Sequence, residues 1–353
     1  MNARIVPVAL LIVSIVVLSA CQAVTSPAAG TTTSATPATQ SEADRLVVYS
    51  GRSENLVGPL LDQFSQATGM AVDVRYGDTA EMAATILEEG GNSPADLFFG
   101  QDAGALGALA RAGRLTPLPD SVLDQVAPRF RSPTGEWVGT SGRARVLVYN
   151  TNELTEADLP ASVLDLADPT WRGRAGWAPT NGSFQAFVTA LRALMGDDDT
   201  LAWLEAMVAN DVQVYPNNTA IVQAAASGEI DVGLVNHYYL YRFLAEEGED
   251  FPARNYYFAA GDPGAMINVA GAGILDSARH PEAALQLVEF LLSTEAQQFF
   301  ADETAEYPLA GEGIALNPLL KPLDEVQSPD LDLGDLSDLQ GTLELLQEAG
   351  ALE

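Results

Sequence analysis

The 353-residue chain is nearly without two of the side chains from which enzyme active sites and protein metal centres are most often assembled, cysteine and histidine. Cys21 is its only cysteine, which excludes a disulfide framework and any thiolate-based metal or redox site. His237 and His280 are its only histidines, leaving serine triads and zinc sites short of material. Nothing in it reads Gly-x-x-x-x-Gly-Lys-Ser/Thr, His-Glu-x-x-His or Gly-x-Ser-x-Gly, so the motifs of phosphate-binding loops, zinc proteases and nucleophile elbows are missing. No stretch repeats at a fixed period, which removes solenoids and propellers. Cations are scarce as well: 17 Lys and Arg stand against 48 Asp and Glu, for a formal net charge of −31. That balance argues against nucleic acid or an anionic membrane surface as a partner and is compatible with attracting cations.

The N-terminus sets the compartment. Arg4 precedes an apolar run from Ile5 to Ala20, shorter than the roughly 20 residues a bilayer span needs, which ends Leu18-Ser19-Ala20-Cys21. This reads as a signal peptide over residues 1–20. The Leu-Ser-Ala-Cys pattern resembles the bacterial lipobox, which implies cleavage before Cys21 and a lipid on its sulfur. From Val24 to about Gln40 the chain is Ser, Thr, Ala, Pro and Gly, with too little apolar surface to offset the entropy of ordering, so residues 21–44 are expected to be a lipidated flexible tether. The remaining residues exceed what one hydrophobic core usually supports, so two lobes are expected.

Alternation of strand and helix patterns predicts an α/β fold. Leu46–Ser50, Ala71–Tyr76 and Ala95–Phe99 read as strands, each followed by a helical pattern: one through Leu56, Leu60, Leu61 and Phe64 to Gly69, one over about Ala80–Glu89 behind Thr79 as N-cap, and one through Arg111. Such units build doubly wound parallel sheets with ligands at the carboxyl ends of the strands, which puts the loops Ser50–Glu54 and Gly100–Asp102 on one edge. Trp137–Asn150 reads as a strand crossing between lobes. In the second lobe, helices are predicted over Phe184–Met195, Leu201–Val208 and Thr219–Ala226, and strands over Val212–Tyr215 and Ile230–Val235. A long amphipathic helix, Pro281–Phe300, follows the Gly-rich stretch Asn268–Gly273, and the acidic end carries one more helix. The expected division is 45–142 with about 270–315 for the first lobe, 143–269 for the second, and 316–353 for a C-terminal helical tail.

The stretch Asn236-His237-Tyr238-Tyr239 follows a predicted strand at its carboxyl end. Successive helical residues point about 100° apart, so two adjacent tyrosines reach one ligand only at an irregular helix start. Together with Val48-Tyr-Ser-Gly-Arg52, Ala95-Asp-Leu-Phe-Phe-Gly-Gln-Asp-Ala-Gly104, Ser141-Gly-Arg-Ala-Arg-Val-Leu-Val-Tyr-Asn150 and Gly176-Trp-Ala-Pro-Thr-Asn-Gly-Ser-Phe-Gln185, this stretch resembles the ferric-iron-binding proteins of ABC transporters over nearly the whole mature chain. The resemblance implies a type II periplasmic-binding-protein fold, Fe(III) as cargo, a permease as partner, and Tyr238, Tyr239 and Tyr149 as iron ligands. Phenolate is a hard anionic oxygen donor suited to a hard trivalent cation. His237 is expected to point away, and Tyr241 to pack in the core.

The chain departs from the family in its first lobe. Ser53 stands where some members place a histidine ligand and Gln101 where they place a glutamate, with Glu54 and Asp102 as nearby acids. A carbonate-like synergistic anion would complete the coordination, and the planar fork of Arg52 or Arg145 suits a bidentate grip on it. The turn Asn181-Gly182-Ser183, opening a helix near Asn218 and Asn236, is the other candidate anion site, through free N–H groups and the helix dipole. Which of the two holds the anion stays open at this level. The chain is expected to act as a monomer without enzymatic turnover. A sister reading has the same fold bind an oxyanion or a small organic solute such as a phosphonate or polyamine, and a surface enzyme is the remaining alternative.

Overall fold

The computed structural model describes residues 45–352, so the expected signal peptide, Cys21 and the tether lie outside the described residues. The strands, in chain order, are β1 (Arg45–Ser50), β2 (Ala71–Tyr76), β3 (Leu97–Gly100), β4 (Val138–Asn150), β5 (Ala175–Trp177), β6 (Gln213–Val214), β7 (Val232–Asn236), β8 (Ala253–Tyr256), β9 (Ile267–Ile274) and β10 (Tyr307–Pro308). They form the two-lobed α/β architecture expected from the sequence. In one half β1 lies between β2 and β3, parallel to both, and β9 runs antiparallel between β3 and β4. In the other half β7 runs antiparallel to β4 and parallel to β5, which pairs with β6, while β8 covers the other edge of β4.

The long strand β4 joins the halves, and every one of its residues is buried. It pairs with β9 from Val138 to Ala144 and with β7 from Arg145 to Tyr149, so it changes partner between Ala144 and Arg145. Each half has its own aromatic packing: Phe64 against Phe290 on one side, and Trp177, Phe184, Phe187 and Trp203 edge to face on the other. No helix among the described residues is long and apolar enough to cross a membrane.

Two local expectations are corrected, and a third stretch is given its structure. The N-cap of helix Thr79–Glu89 is Asp78, whose carboxylate accepts from Ala80 N, while Thr79 opens the helix itself. The predicted helix Pro281–Phe300 is two helices, Pro281–Leu291 and Thr294–Glu303, because Ser293 caps the second through Ala296 N. The amide of Gln297 then donates to Leu291 O (2.7 Å), a carbonyl freed by the break. The Gly-rich stretch Asn268–Gly273 is most of β9, a central strand. Its glycines reflect close approach, since a Cβ on Gly271 would come within 2.7 Å of Val138 O.

The C-terminal segment spans both halves. The short turn Leu333–Ser337 lies on helix Ala103–Arg111, where a Cβ on Gly104 or Gly107 would collide with its backbone, and Arg111 donates to Gly334 O (2.8 Å). Helix Leu339–Glu348 then lies on helix Gly182–Met195, tied by the Thr189 and Thr342 hydroxyls (2.7 Å) and by Arg192 to Asp338 (2.9 Å).

Candidate metal centre

A cleft of about 520 Å³ opens between the two halves. Its first-lobe rim comes from the ends of β1 and β3: the Thr79 hydroxyl donates to Gly51 O (2.9 Å) and accepts from Gln101 N (3.2 Å), fastening the two expected loops to each other. Gly51 is required there, because a Cβ would run into Thr79. Asp102 lines the cleft and caps helix Ala103–Arg111 through Ala105 N (3.2 Å). Burial raises the Asp102 carboxyl above the ordinary range, with Arg143 opposing.

The opposite wall is the end of β7, which passes straight into helix Tyr238–Glu247 with His237 as the only link. Side chains of neighbouring helical residues ordinarily diverge, yet the Tyr238 and Tyr239 rings stack at 4.4 Å with planes 28° apart, and both face the cleft. Burial, and after it the neighbouring Tyr239 phenol, push the Tyr238 hydroxyl well above its ordinary pKa, while Arg143 pulls it down. The free site therefore holds neutral phenol at Tyr238, and a cation that binds there must displace a proton. Among the described residues no three His, Cys, Asp or Glu side chains gather to hold a metal, so a metal here would rest on tyrosine oxygen.

Two arginines on the crossing strand face the tyrosines. Arg145 lies over the Phe184 and Phe187 rings, donates to Leu234 O (2.9 Å), and its pKa is lowered to about 9 by burial, with Tyr239 and Tyr238 opposing. It remains a cation at neutral pH. Arg143 donates to Gln101 O, linking the crossing strand to the first-lobe rim. The Nε atoms of both arginines and Oε1 of Gln101 are buried with no hydrogen-bond partner. Sequence reading placed Arg143 on the strand but gave it no role. Its signal was the i, i+2 spacing with Arg145, which puts both on one face of β4.

The Asn181 turn also borders the cleft. Asn181 Oδ1 accepts from Ser183 N (3.0 Å), the Ser183 hydroxyl (2.6 Å) and Asn218 Nδ2 (3.1 Å), while Asn218 Oδ1 accepts from Asn236 N (3.3 Å). One buried asparagine thus ties the turn to the end of β7. Leu336, Ser337 and Leu339 of the C-terminal segment close the remaining side of the cleft, a contribution for which the sequence carries no chemical signal.

Several candidates lie elsewhere. Arg52 is fully buried in the first lobe, between the Phe99 and Phe300 rings, and paired with Glu306 (2.8 Å) and Ser141 (2.9 Å). Its guanidinium is taken up by these partners and does not line the cleft. Tyr149 is buried where β4 pairs with Val232 on one side and Arg254 on the other, past Arg145, and does not line the cleft. Ser53 is an exposed cap and Glu54 the exposed first residue of helix Glu54–Thr68; neither borders the cleft. His237 is buried with both ring nitrogens engaged, and the Tyr241 hydroxyl donates to Leu319 O (3.1 Å).

Comparisons with known proteins show the family. A family model of the bacterial extracellular solute-binding proteins matches residues 92–332. The Fe(3+)-binding periplasmic protein of Serratia marcescens is 36% identical to the chain, over 87% of it and 90% of the relative. The crystal structure of iron-bound HitA from Pseudomonas aeruginosa aligns with a TM-score of 0.79 at 38% identity, over 87% of this chain and 99% of that one. The Trichodesmium protein IdiA (FutA), solved with iron and citrate, aligns at 0.76 and 30% identity, over 87% and 99%. The chain belongs to the bacterial extracellular solute-binding protein family, alongside its ferric-iron-binding periplasmic members.

Proposed function

We propose that this protein captures Fe(III) in the cleft with Tyr238 and Tyr239 as phenolate ligands, together with a carbonate-like anion, and delivers it as a monomer to the permease of an ABC transporter. The observation that carries this reading is the stacked tyrosine pair at the end of β7, lining one cleft together with two arginines. Fe(III) is the cation that hard phenolate oxygen suits best, and its charge replaces the phenol protons. Two phenolates leave an octahedral ion with open positions. Arg143 and Arg145, whose buried Nε atoms lack a partner, offer positive charge and N–H donors for an anion that fills them, beside the Asn181-Gly182-Ser183 turn, whose Ser183 N–H is already taken by Asn181 and which Asn218 ties to Asn236. Gln101 and Asp102 face the same space from the first lobe.

The lobes move about the point where β4 changes partner, so that the division falls near residues 143–145 and closure brings Gln101 and Asp102 towards the tyrosines. A lipid on Cys21 holds the protein to the outer face of the membrane. Labelled lipid should attach in the native host and be lost in Cys21→Ser; label retained in that variant removes the anchor.

The deciding experiment is to load the protein with Fe(III) against a weak chelator and record the visible spectrum. A phenolate-to-iron charge-transfer band should appear, and Tyr238→Phe and Tyr239→Phe should each weaken binding strongly at unchanged fold. Full affinity in both variants refutes the tyrosine site. A protein that stays colourless supports an oxyanion or small organic solute held by the same arginines.

A further inference from the structure

The ring of His237 faces away from the cleft into the hinge, and its surroundings are more specific than packing requires. It is fully buried, and its Nδ1 accepts from Ala144 N (3.1 Å), the last residue of β4 before that strand changes partner. Its Nε2 meets Ala305 O at 2.8 Å, and because a carbonyl can only accept, Nε2 carries the proton. Ala305 has a left-handed backbone, φ 52°, a conformation that favours glycine, and leads directly to Glu306, the partner of Arg52, and to β10, which pairs with β4. The imidazole is stacked on the Tyr307 ring at 4.7 Å and meets the Tyr238 ring edge to face at 5.7 Å. The backbone of His237 is held as tightly, its N–H donating to Ala144 O (3.0 Å) and its carbonyl accepting from Asn255 Nδ2 (2.8 Å).

These contacts fix the one residue that connects β7 to the tyrosine helix. That helix start has no side-chain cap to hold it in place. We propose that His237 is the positioning residue of the tyrosine pair: through Ala144 and Ala305 it locks the turn so that both phenols face the cleft, and it ties their direction to the hinge. The inference rests on the reading of Tyr238 and Tyr239 as iron ligands. It implies that movement of β4 against residues 305–308 is felt at the ligands through one imidazole, and that the grip on iron and the hinge angle change together.

Substitutions can separate the two anchors. Asparagine places an acceptor near the position of Nδ1, and glutamine places an N–H donor near that of Nε2, so His237→Asn keeps the tie to Ala144 and His237→Gln the tie to Ala305. His237→Phe fills the space and keeps neither. The readouts are iron affinity by chelator competition and the energy of the charge-transfer band, with thermal unfolding alongside. A lost tie to a buried group should cost about tenfold in affinity, so each polar variant should lose about tenfold and the Phe variant about a hundredfold, with the band shifted in the same order. Wild-type affinity and band in all folded variants, whatever their melting temperatures, would overturn the proposal and leave His237 a packing residue. If the Phe variant does not fold, the Asn and Gln variants decide by the same criterion. A wild-type protein without the band defeats the iron reading itself, and this inference with it, which distinguishes that failure from this one.

Discussion

Replacing Arg52 with methionine separates the fold from the site. Sequence reasoning points to Arg52 as an anion grip, whereas its guanidinium is buried against Glu306 and Ser141, and Glu306 is itself 1% exposed. Burial would push the Glu306 carboxyl up, but Arg52, Arg143 and hydrogen bonds from Ser141 and Arg52 outweigh it and hold it below the ordinary range. Removing one partner of such a pair leaves an uncompensated buried charge, which typically costs about 3–5 kcal/mol. At roughly 2 °C per kcal/mol for a chain of this size, melting should fall by about 6–10 °C. The deficit has a pH signature. In the wild type the depressed carboxyl contributes stability that is present at neutral pH and is lost as pH falls through its folded pKa. In Arg52→Met burial dominates and the carboxyl is raised, so protonation relieves the variant first and its deficit shrinks as pH drops towards about 5. Adding Glu306→Gln should recover a large part of the loss at pH 7, on the order of 2 kcal/mol, as a coupled pair requires. Urea unfolding at pH 7 and pH 5 measures all of this, while iron affinity per folded molecule stays near that of the wild type. Unchanged stability in Arg52→Met, combined with lost bicarbonate dependence of iron binding, would refute the buried-pair assignment and return Arg52 to the cleft.

Three other outcomes are expected. Arg143→Gln and Arg145→Gln should each reduce the gain in iron affinity that bicarbonate provides in carbonate-free buffer, and a full gain in both would leave the Asn181 turn as the anion site. Because the Tyr238 phenol is raised above its ordinary value, iron binding must release protons, and apparent affinity should climb with pH by up to about one decade per unit for each phenol deprotonated. Chelator-competition titrations at pH 5.5 and 7.5 check this, and a pH-independent affinity contradicts phenolate ligation. Gly107→Ala should lift the turn Leu333–Ser337 from its helix at a cost of about 1–3 kcal/mol, detected as earlier proteolysis of the C-terminal segment; protection equal to wild type would mean that the contact yields easily.

The parts of this protein that follow from local pattern were legible in its sequence. β1 and β2, with their helices, obey simple periodicity and end on glycine or polar residues, and β4 showed itself by its apolar end, Val146-Leu147-Val148. β9 did not, because its glycines answer to neighbours that only the folded chain supplies, such as the carbonyl of Val138 against Gly271. The same division runs through the site. Tyr238, Tyr239 and the Asn181 turn were singled out by the family resemblance and by their place at strand ends and helix starts, and the fold brings them to one cleft. Arg52 and Tyr149 lie away from the cleft, because sequence order records neither the depth of a side chain nor the direction in which it leaves its strand. Arg52 follows a strand end like a ligand, yet Glu306, distant in sequence, draws it inward.

The C-terminal segment also has a consequence for the order in which the molecule is made. Leu336, Ser337 and Leu339 follow every other cleft-lining residue along the chain, and they reach the cleft only when Leu333–Ser337 has docked on one half and Leu339–Glu348 on the other. A polypeptide emerging from a translocation pore amino end first would expose its tyrosines and arginines before the last wall of the cleft existed. For a chain exported as the proposed function implies, the finished cleft is therefore among the last things the nascent molecule acquires.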